Sequence, residues 1–318
     1  MVELVQTWGQ ALGALHHRIG QHFRRPEPRR RALHYLQALL SPCERKNGWQ
    51  IAETAGDRAP DGMQRLLNAA QWDADAVRDD LQAYVVEHLG DPNAVLIIDE
   101  TGFLKQGTKS VGVQPQYSGT AGDIENCQIG VFLCYASPTG SAFIDRALYM
   151  PQTWTRDRER CAAAHVPTDS AFATKPSLAI AMLDRACAAG IPFGWVTGDC
   201  IYGRDRQLRQ WLEQHRRPYV LGVQSTTLLA QDAHWALPAK IIAHEIAADQ
   251  WQRLSAGEGG YPQGEGARWF DWAWQEVWWE PRGDDAAAWG QWLLARRSVK
   301  DPRDLSYYLV FAPRVGTT

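Results

Sequence analysis

The sequence predicts an α/β protein with three successive parts: an all-α N-terminal module over residues 1–92, a sheet-containing core over residues 93–224, and a mostly β insertion over residues 225–318. Apolar residues recur at helical spacing through the first part. In the second part, two apolar runs each end in an aspartate. The third part is strongly aromatic and partly alternating, which is typical of strands.

The composition is that of an ordinary globular protein. Of 318 residues, 45% are hydrophobic and 22% are charged, which suits one large domain or two of ordinary size. The net charge is −3, so any affinity for nucleic acid must come from local basic patches. No run approaches the ~18–20 apolar residues of a membrane span, and the N-terminus lacks a secretory pattern. The six cysteines form no Cys-x-x-Cys pair, which disfavours a zinc site and a disulfide framework, so we expect a cytoplasmic protein.

Two amphipathic helices are predicted near the N-terminus, and a basic cluster lies between them. Their apolar faces are formed by Leu4, Trp8, Leu12 and Leu15, and by Leu33, Leu36, Leu39 and Leu40. Further helices are expected over residues 62–67 and 73–89. A charge run is usually a solvated helix face, but a basic helical module ahead of an acidic site fits DNA binding equally well. The cluster consists of Arg18, Arg24, Arg25, Arg29, Arg30 and Arg31, and Lys46 follows it.

Residues 94–104 (AVLIIDETGFL) predict the central strand of the core. The apolar run is β-branched and unbroken, which indicates a strand buried on both faces. We expect this strand to end at Asp99 and Glu100, and Gly102 to let the chain turn away. A carboxylate in that position is costly unless it is paired or binds a cation. By itself, Asp99 is better explained as a residue that caps the next turn.

A second apolar run, over residues 193–199 (FGWVTGD), favours a functional role for Asp99 over turn capping. It ends in Asp199, and a helix over residues 204–215 follows. Because ligands of open α/β sheets bind outside the carboxyl ends of the strands, both aspartates are expected in one crevice. Carboxylate oxygens are the ligands that Mg²⁺ prefers, and a divalent ion would offset the repulsion between them. The pair predicts a metal-dependent phosphoryl-transfer site.

The remaining pattern of the core predicts three strands and a helix. Strands over residues 129–135 and 142–149 read as a hairpin, residues 175–189 as an amphipathic helix, and residues 219–223 as the last strand. The loop that carries Lys105 and Lys109 is rich in small residues and suits phosphate binding, although it lacks the spacing of a nucleotide P-loop.

Within residues 225–318, strands are expected over the aromatic segment 268–279, over residues 289–299 and over residues 306–312. An exposed loop is expected over residues 256–266. We interpret the tryptophans of this part as sheet packing rather than a surface for stacking bases.

The predicted elements of the core follow the order of a ribonuclease H-like fold: three strands that can pair antiparallel, then a helix, a strand, a helix and a strand. At this point the sequence resembles the DDE-type insertion-sequence transposases, a group of DDE superfamily endonucleases, nearly from end to end. The segments that carry the resemblance include SPCERKNGW (41–49), PDGMQRLL (60–67), WDADAVR (72–78), VLIIDETGFL (95–104), QYSGTAG (116–122), NCQIGVF (126–132) and WVTGDCIYG (195–203).

The resemblance implies that Asp99 and Asp199 are catalytic and bind two Mg²⁺ or Mn²⁺ ions. It also implies a double-stranded DNA substrate, namely transposon ends and target DNA, and it leaves a homodimer open. The candidate DNA contacts are Arg24, Arg25, Arg29, Arg30, Arg31, Lys46, Lys105, Lys109 and Arg204.

The sequence departs from the family pattern at several positions. Gln106 and Pro115 replace basic residues, and Cys200 stands where a glutamate usually follows the second aspartate. The family's third acid, a glutamate on a helix after the β insertion, has no counterpart, so we expect a truncated chain whose final core helix is missing. Four glutamates within the insertion offer other carboxylates, but we do not expect them to reach the metal site: Glu245, Glu265, Glu276 and Glu280.

Two functions therefore stay open on the sequence. One is a transposase that cleaves and transfers DNA strands. The other is a shortened relative that binds DNA without cutting it. A phosphatase that uses Asp99 as its nucleophile is disfavoured, because that chemistry requires a second acid at position 101, which is threonine.

Overall fold

The computed structural model describes residues 2–258, 267–279 and 288–314. The chain divides into two compact units, Met1–Tyr84 and Val85–Thr318. None of the described helices is both long and apolar enough to span a membrane.

The first unit is built from helices around small apolar cores. Pro26 begins the second helix at a position where no backbone donor is needed. The Asn47 side chain caps the third helix by accepting from the N–H groups of Trp49 and Gln50. The fifth helix runs across the boundary between the units. The helices are α1 (Val2–Gly20), α2 (Pro26–Leu40), α3 (Gly48–Thr54), α4 (Asp61–Asn68) and α5 (Ala74–Leu89).

The second unit contains the strands and the remaining helices. In chain order they are β1 (Val95–Leu104), β2 (Gln114–Ser118), β3 (Asp123–Ser137), β4 (Gly140–Tyr149), α6 (Gln152–Arg156), α7 (Arg158–Ala163), α8 (Lys175–Ala188), β5 (Trp195–Gly198), α9 (Cys200–Gly203), α10 (Arg206–Gln214), β6 (Tyr219–Val223), β7 (Leu228–Ala230), β8 (Ala236–Pro238), α11 (Ala239–Glu245), β9 (Gln252–Glu258), β10 (Ala267–Val277), β11 (Trp289–Ser298) and β12 (Leu305–Pro313).

Most of these strands form one mixed sheet in the order β2-β3-β1-β5-β6-β12-β11-β10-β9, and β4 pairs with β3 beside β2. The pairs β1–β5 and β5–β6 are parallel, whereas β3 is antiparallel to both β1 and β4. The predicted α/β class is confirmed, and the two aspartate-bearing strands are neighbours.

The prediction that the first strand ends at Asp99 is wrong. All ten residues of β1 pair with the long strand β3, from Val95 opposite Ala136 to Leu104 opposite Cys127. Since these ladder hydrogen bonds continue, the chain does not turn at Gly102. That glycine instead lies in close contact with Ser118, and a Cβ atom there would be 2.5 Å from the serine hydroxyl. Burial in β1 is also one-sided, because Leu96 and Ile98 are buried while Val95 and Ile97 are half-buried.

The third part of the chain contributes four long strands to the main sheet. Strand β12 pairs with β6, so β9–β12 extend the same sheet. Helix α11 and the small β7–β8 hairpin were not predicted, and neither was β2. Of the expected exposed loop over residues 256–266, the first three residues belong to β9 and residues 259–266 lie outside the described residues.

Candidate active site

The site is formed where β1 and β5 run side by side. Their parallel pairing ends with Ile98 opposite Gly198, and the next residue of each chain segment is an aspartate. Adjacent strands are about 4.8 Å apart, so the backbones of Asp99 and Asp199 begin from neighbouring positions. Asp199 leaves the strand and caps the short helix α9.

Each aspartate is oriented through one carboxylate oxygen. Oδ1 of Asp99 accepts the N–H of Glu100 at 2.7 Å, and Oδ1 of Asp199 accepts the N–H of Ile201 at 2.8 Å. Within the described residues, no group donates to Oδ2 of either side chain. Both carboxylates therefore keep an oxygen that a ligand can use.

The pKa of Asp99 is raised above the ordinary aspartate value. Partial desolvation is the main cause, although the residue reaches solvent, and the neighbouring carboxylates of Glu100 and Asp199 add to it. The Glu100 N–H and the charge of Lys175 oppose this shift. Negative groups this close together favour binding of a cation.

Glu100 has a different environment from Asp99 because successive side chains of a strand point to opposite faces. Its carboxylate accepts from Nζ of Lys175 on α8 at 2.7 Å and from the hydroxyl of Tyr202 on α9 at 2.6 Å. Burial, followed by the Glu100 carboxylate, raises the pKa of Tyr202 far above its usual range, which keeps the hydroxyl protonated as a donor. Glu100 therefore ties β1 to the helix that Asp199 caps.

Two glycines let this helix lie directly on the sheet. A Cβ atom at Gly203 would overlap the carbonyl oxygen of Gly222, and one at Gly222 would be 3.1 Å from the backbone of Asp199 and Cys200. The close approach of α9 to β6 therefore depends on the absence of both side chains. This contact fixes the turn that carries Asp199.

Among the described residues, none of the other candidate carboxylates completes a metal-binding group with Asp99 and Asp199. Glu276 lies on β10, which is five strands along the sheet from β1 and so on the order of 24 Å away, and it pairs with Arg314 at 2.6 Å. Glu245 ends α11, while Glu265 and Glu280 lie outside the described residues. Across the described ranges, no group of three or more His, Cys, Asp or Glu side chains could hold a metal ion. A pair of aspartates still suits Mg²⁺, which commonly binds through one or two carboxylates and keeps several waters.

The predicted basic residues fall into two classes. Arg31 is half-buried and paired with Asp57, and Lys46 donates to the carbonyl groups of Ala38 and Ser41 at the end of α2. Such bonds satisfy carbonyls that a helix end leaves without partners. The other predicted residues are exposed, as is Lys46: Arg24, Arg25, Arg29, Arg30, Lys105, Lys109 and Arg204.

An open cavity of about 930 Å³ lies within the first unit, beside the basic cluster. Its lining includes five arginines: Arg24, Arg25, Arg31, Arg58 and Arg65. Three acids, Glu27, Asp57 and Asp61, line it as well. Positive groups therefore outnumber negative ones around this cavity.

The comparisons with known proteins identify the family. The protein-family model described as DDE superfamily endonuclease matches residues 18–241. The chain belongs to this family. The resemblance to insertion-sequence transposases is thereby confirmed over most of the chain, though not to its C-terminal end.

One similar protein is the probable transposase for insertion sequence element IS701 of Microchaete diplosiphon. It is 27% identical over 197 residues, which cover 61% of this chain and 49% of that protein. The chain thus spans about half the length of this curated relative. Among solved structures, the NurA nuclease from Sulfolobus solfataricus aligns over 74% of each chain with 8% identity and a TM-score of 0.28, which is too low to establish a common fold.

The cluster of Glu100, Lys175 and Tyr202 was missed by sequence reasoning. The alternation of side chains along β1 could have separated Glu100 from Asp99. Nothing local connects Lys175 or Tyr202 to Glu100, because they are 75 and 102 residues away in the chain.

Proposed function

We propose that this DDE superfamily endonuclease cleaves and transfers DNA strands as a transposase, with Asp99 and Asp199 as its catalytic metal ligands. The observation that carries the proposal is the end of the β1–β5 pairing at Ile98 and Gly198, with an aspartate next on each segment. The free Oδ2 atoms and the raised pKa of Asp99 support the binding of Mg²⁺ or Mn²⁺ there.

The sheet supports a ribonuclease H-like core. Strands β4, β3 and β1 are antiparallel, and β5 and β6 continue parallel to β1, in the spatial order β4-β3-β1-β5-β6. The proposed catalytic residues lie on the first of these strands in the chain and directly after the fourth.

Divalent ions held by Asp99 and Asp199 would activate a water or 3′-hydroxyl and would stabilise the leaving oxygen of an in-line displacement. The chain's contribution is orientation. Backbone N–H groups hold one oxygen of each aspartate, and Glu100 holds α9 against β1. Exposed Lys105, Lys109 and Arg204 would contact DNA phosphates in the second unit, as would exposed arginines in the first.

A second candidate function is DNA binding without cleavage. It is favoured because, among the described residues, no third carboxylate is placed to hold a metal ion together with Asp99 and Asp199. Loss of one metal ligand should cost orders of magnitude in metal affinity or rate.

The test uses the purified 318-residue protein with Mn²⁺ and end-labelled DNA that carries the gene and its flanking sequences. Specific nicking that Asp99→Asn and Asp199→Asn abolish, and that Asp249→Asn leaves intact, would support the transposase. Asp249 is an exposed aspartate on a short 3₁₀ turn and serves as the matched control. Sequence-specific DNA binding without nicking would support the second function. If the protein neither nicks nor specifically binds the DNA, both functions are contradicted.

A further inference from the structure

A second cavity, of about 450 Å³, lies in the second unit and does not include Asp99 or Asp199 in its lining. Its walls come from α10, the β7 strand, the segment after β10, and the strands β11 and β12. Its volume is within the range of about 300–1,000 Å³ that is usual for small-ligand pockets. The lining combines cationic, aromatic and apolar groups.

The cationic wall is a pair of arginines on α10. Arg206 and Arg209 are three residues apart and so lie on one face of the helix. One guanidinium nitrogen of Arg209 donates to the Gly203 carbonyl at 2.7 Å, which fixes its position. Within the described residues, neither arginine pairs with a carboxylate. Arginines with available donors are well suited to a phosphate group.

The same helix also carries Glu213, four residues after Arg209 and so on the same face, and its carboxylate is held in one orientation. Oε1 of Glu213 accepts from the Tyr219 hydroxyl at 2.9 Å and from Nε2 of Gln291 at 2.8 Å, and its Oε2 accepts from Nε1 of Trp279 at 3.2 Å. Burial raises the pKa of Tyr219 well above its usual value, so that hydroxyl remains a donor. A carboxylate fixed in this way can accept a further hydrogen bond from a ligand amine without rearrangement.

The aromatic and apolar surfaces complete the pocket. Trp278 is 37% exposed, and its backbone N–H donates to the Ala230 carbonyl at 2.8 Å, which fixes the start of its side chain. Leu229 and Leu309 are almost fully buried and form an apolar floor. An exposed indole beside an apolar floor is a suitable surface for a planar ring.

We propose that this pocket binds one unpaired nucleotide, with its phosphate on Arg206 and Arg209 and its base against Trp278. The Glu213 carboxylate would accept from an exocyclic amine of the base. A base within a duplex is stacked on its neighbours and would have to leave the stack to enter. The nucleotide can come from a free nucleotide or from a single strand, and it needs no metal ion, so the proposal does not depend on the catalytic role of Asp99.

The test measures binding of a fluorescein-labelled single-stranded dodecamer to the full chain by anisotropy in EDTA, with dAMP and inorganic phosphate as competitors. Trp278→Ala should weaken binding by roughly 5- to 100-fold, the usual effect of losing one stacked base. Arg206→Gln should weaken it by about 10-fold, as expected for a lost charge-assisted contact. Exposed Arg268 and Trp269 on β10 provide the matched controls Arg268→Gln and Trp269→Ala.

Competition by dAMP that is lost in Trp278→Ala would support a free nucleotide as the source. If the labelled strand binds but dAMP does not compete, and both variants weaken binding of the strand, a single strand is supported as the source. Variants that bind like their controls, or phosphate that competes as well as dAMP, would overturn the proposal. Because Arg206 is exposed, its variant remains informative even if Trp278→Ala does not fold. Retained binding by Asp99→Asn would separate this result from any failure of the cleavage test.

Discussion

Asp99 and Glu100 are adjacent in the chain and have opposite environments. Glu100 is bonded to a lysine and a tyrosine on the helical side of the sheet. Asp99 has one oxygen without a protein donor among the described residues, and its pKa is raised. A raised pKa means that the folded protein holds the charge of this residue at a cost, which is common where stability is given up for function.

We therefore predict that Asp99→Asn stabilises the metal-free protein at neutral pH. Because the folded-state pKa lies above the unfolded value of 3.8, the folded protein binds more protons, and stability falls as pH rises through the interval between the two values. The substitution should raise Tm by about 1–2 °C at pH 7 and have no benefit below the unfolded pKa. Thermal unfolding in EDTA at pH 7 and at a pH below the unfolded pKa measures this change in Tm. The control Asp249→Asn should show no gain in Tm at either pH. A lower Tm for Asp99→Asn at pH 7 would contradict it.

At the level of elements, the position of α9 depends on one hydrogen bond to β1 and one backbone contact with β6. The bond joins Tyr202 to Glu100, and the contact joins Gly203 to Gly222. Both are made by residues within four positions of Asp199. Loss of either should disturb the aspartate turn as well as the stability of the unit.

Tyr202→Phe tests the hydrogen bond while keeping the ring. Since Glu100 retains Lys175 as a partner, we expect a loss of about 1–1.5 kcal/mol in the free energy of unfolding. Urea denaturation measures it, with Tyr117→Phe as control because Tyr117 is 61% exposed. Equal stabilities of the two variants would show that the bond contributes nothing.

Gly203→Ala tests the backbone contact. The added methyl group would overlap the Gly222 carbonyl, so we expect the helix to shift and the protein to lose about 1–3 kcal/mol or more. Gly119→Ala is the matched control, because a Cβ atom there meets nothing within 4 Å. Denaturation curves of the two variants that coincide would refute the close approach of α9 to β6.

The elements show what the sequence can and cannot predict. Strands β1 and β5 were found from their apolar runs and following aspartates, and α10 from its polar pattern. Strand β2 was missed because its residues, Gln114–Ser118, do not alternate and include Pro115, which an edge strand tolerates. The continuation of β1 past Asp99 is imposed by pairing with β3, and pairing between distant segments leaves no local pattern.

At the scale of the whole molecule, the chain carries a net charge of −3 and still concentrates arginines in the first unit. Arg24, Arg25 and Arg30 are exposed, whereas Arg31 is paired with Asp57. Any electrostatic attraction to DNA must therefore be local. That the strands β9–β12 extend the core sheet could not be predicted either, because their aromatic pattern specifies strands and not partners.

We predict that replacing Arg24, Arg25 and Arg30 with glutamine reduces the salt dependence of duplex DNA binding. Each lost phosphate contact lowers the slope of log K against log salt by about 0.9, so the total decrease should approach 2.7 if all three touch phosphate. Anisotropy titrations across a salt series measure it. Glutamine at Arg268, Lys300 and Arg303, all exposed in the second unit, is the control. An unchanged slope would show that the cluster only increases solubility.

The alternation of side chains along β1 limits which mutations this strand can accept during evolution. If the register with β3 were kept, deletion of one codon between those for Val95 and Ile98 would move every later residue of β1 to the other face. Glu100 would then take the position of Asp99, and Asp99 would point toward the helices. Substitutions among the apolar residues leave the acids where they are, whereas a single-residue change in length exchanges them. Insertions and deletions in this strand should therefore be removed by selection much more strictly than substitutions.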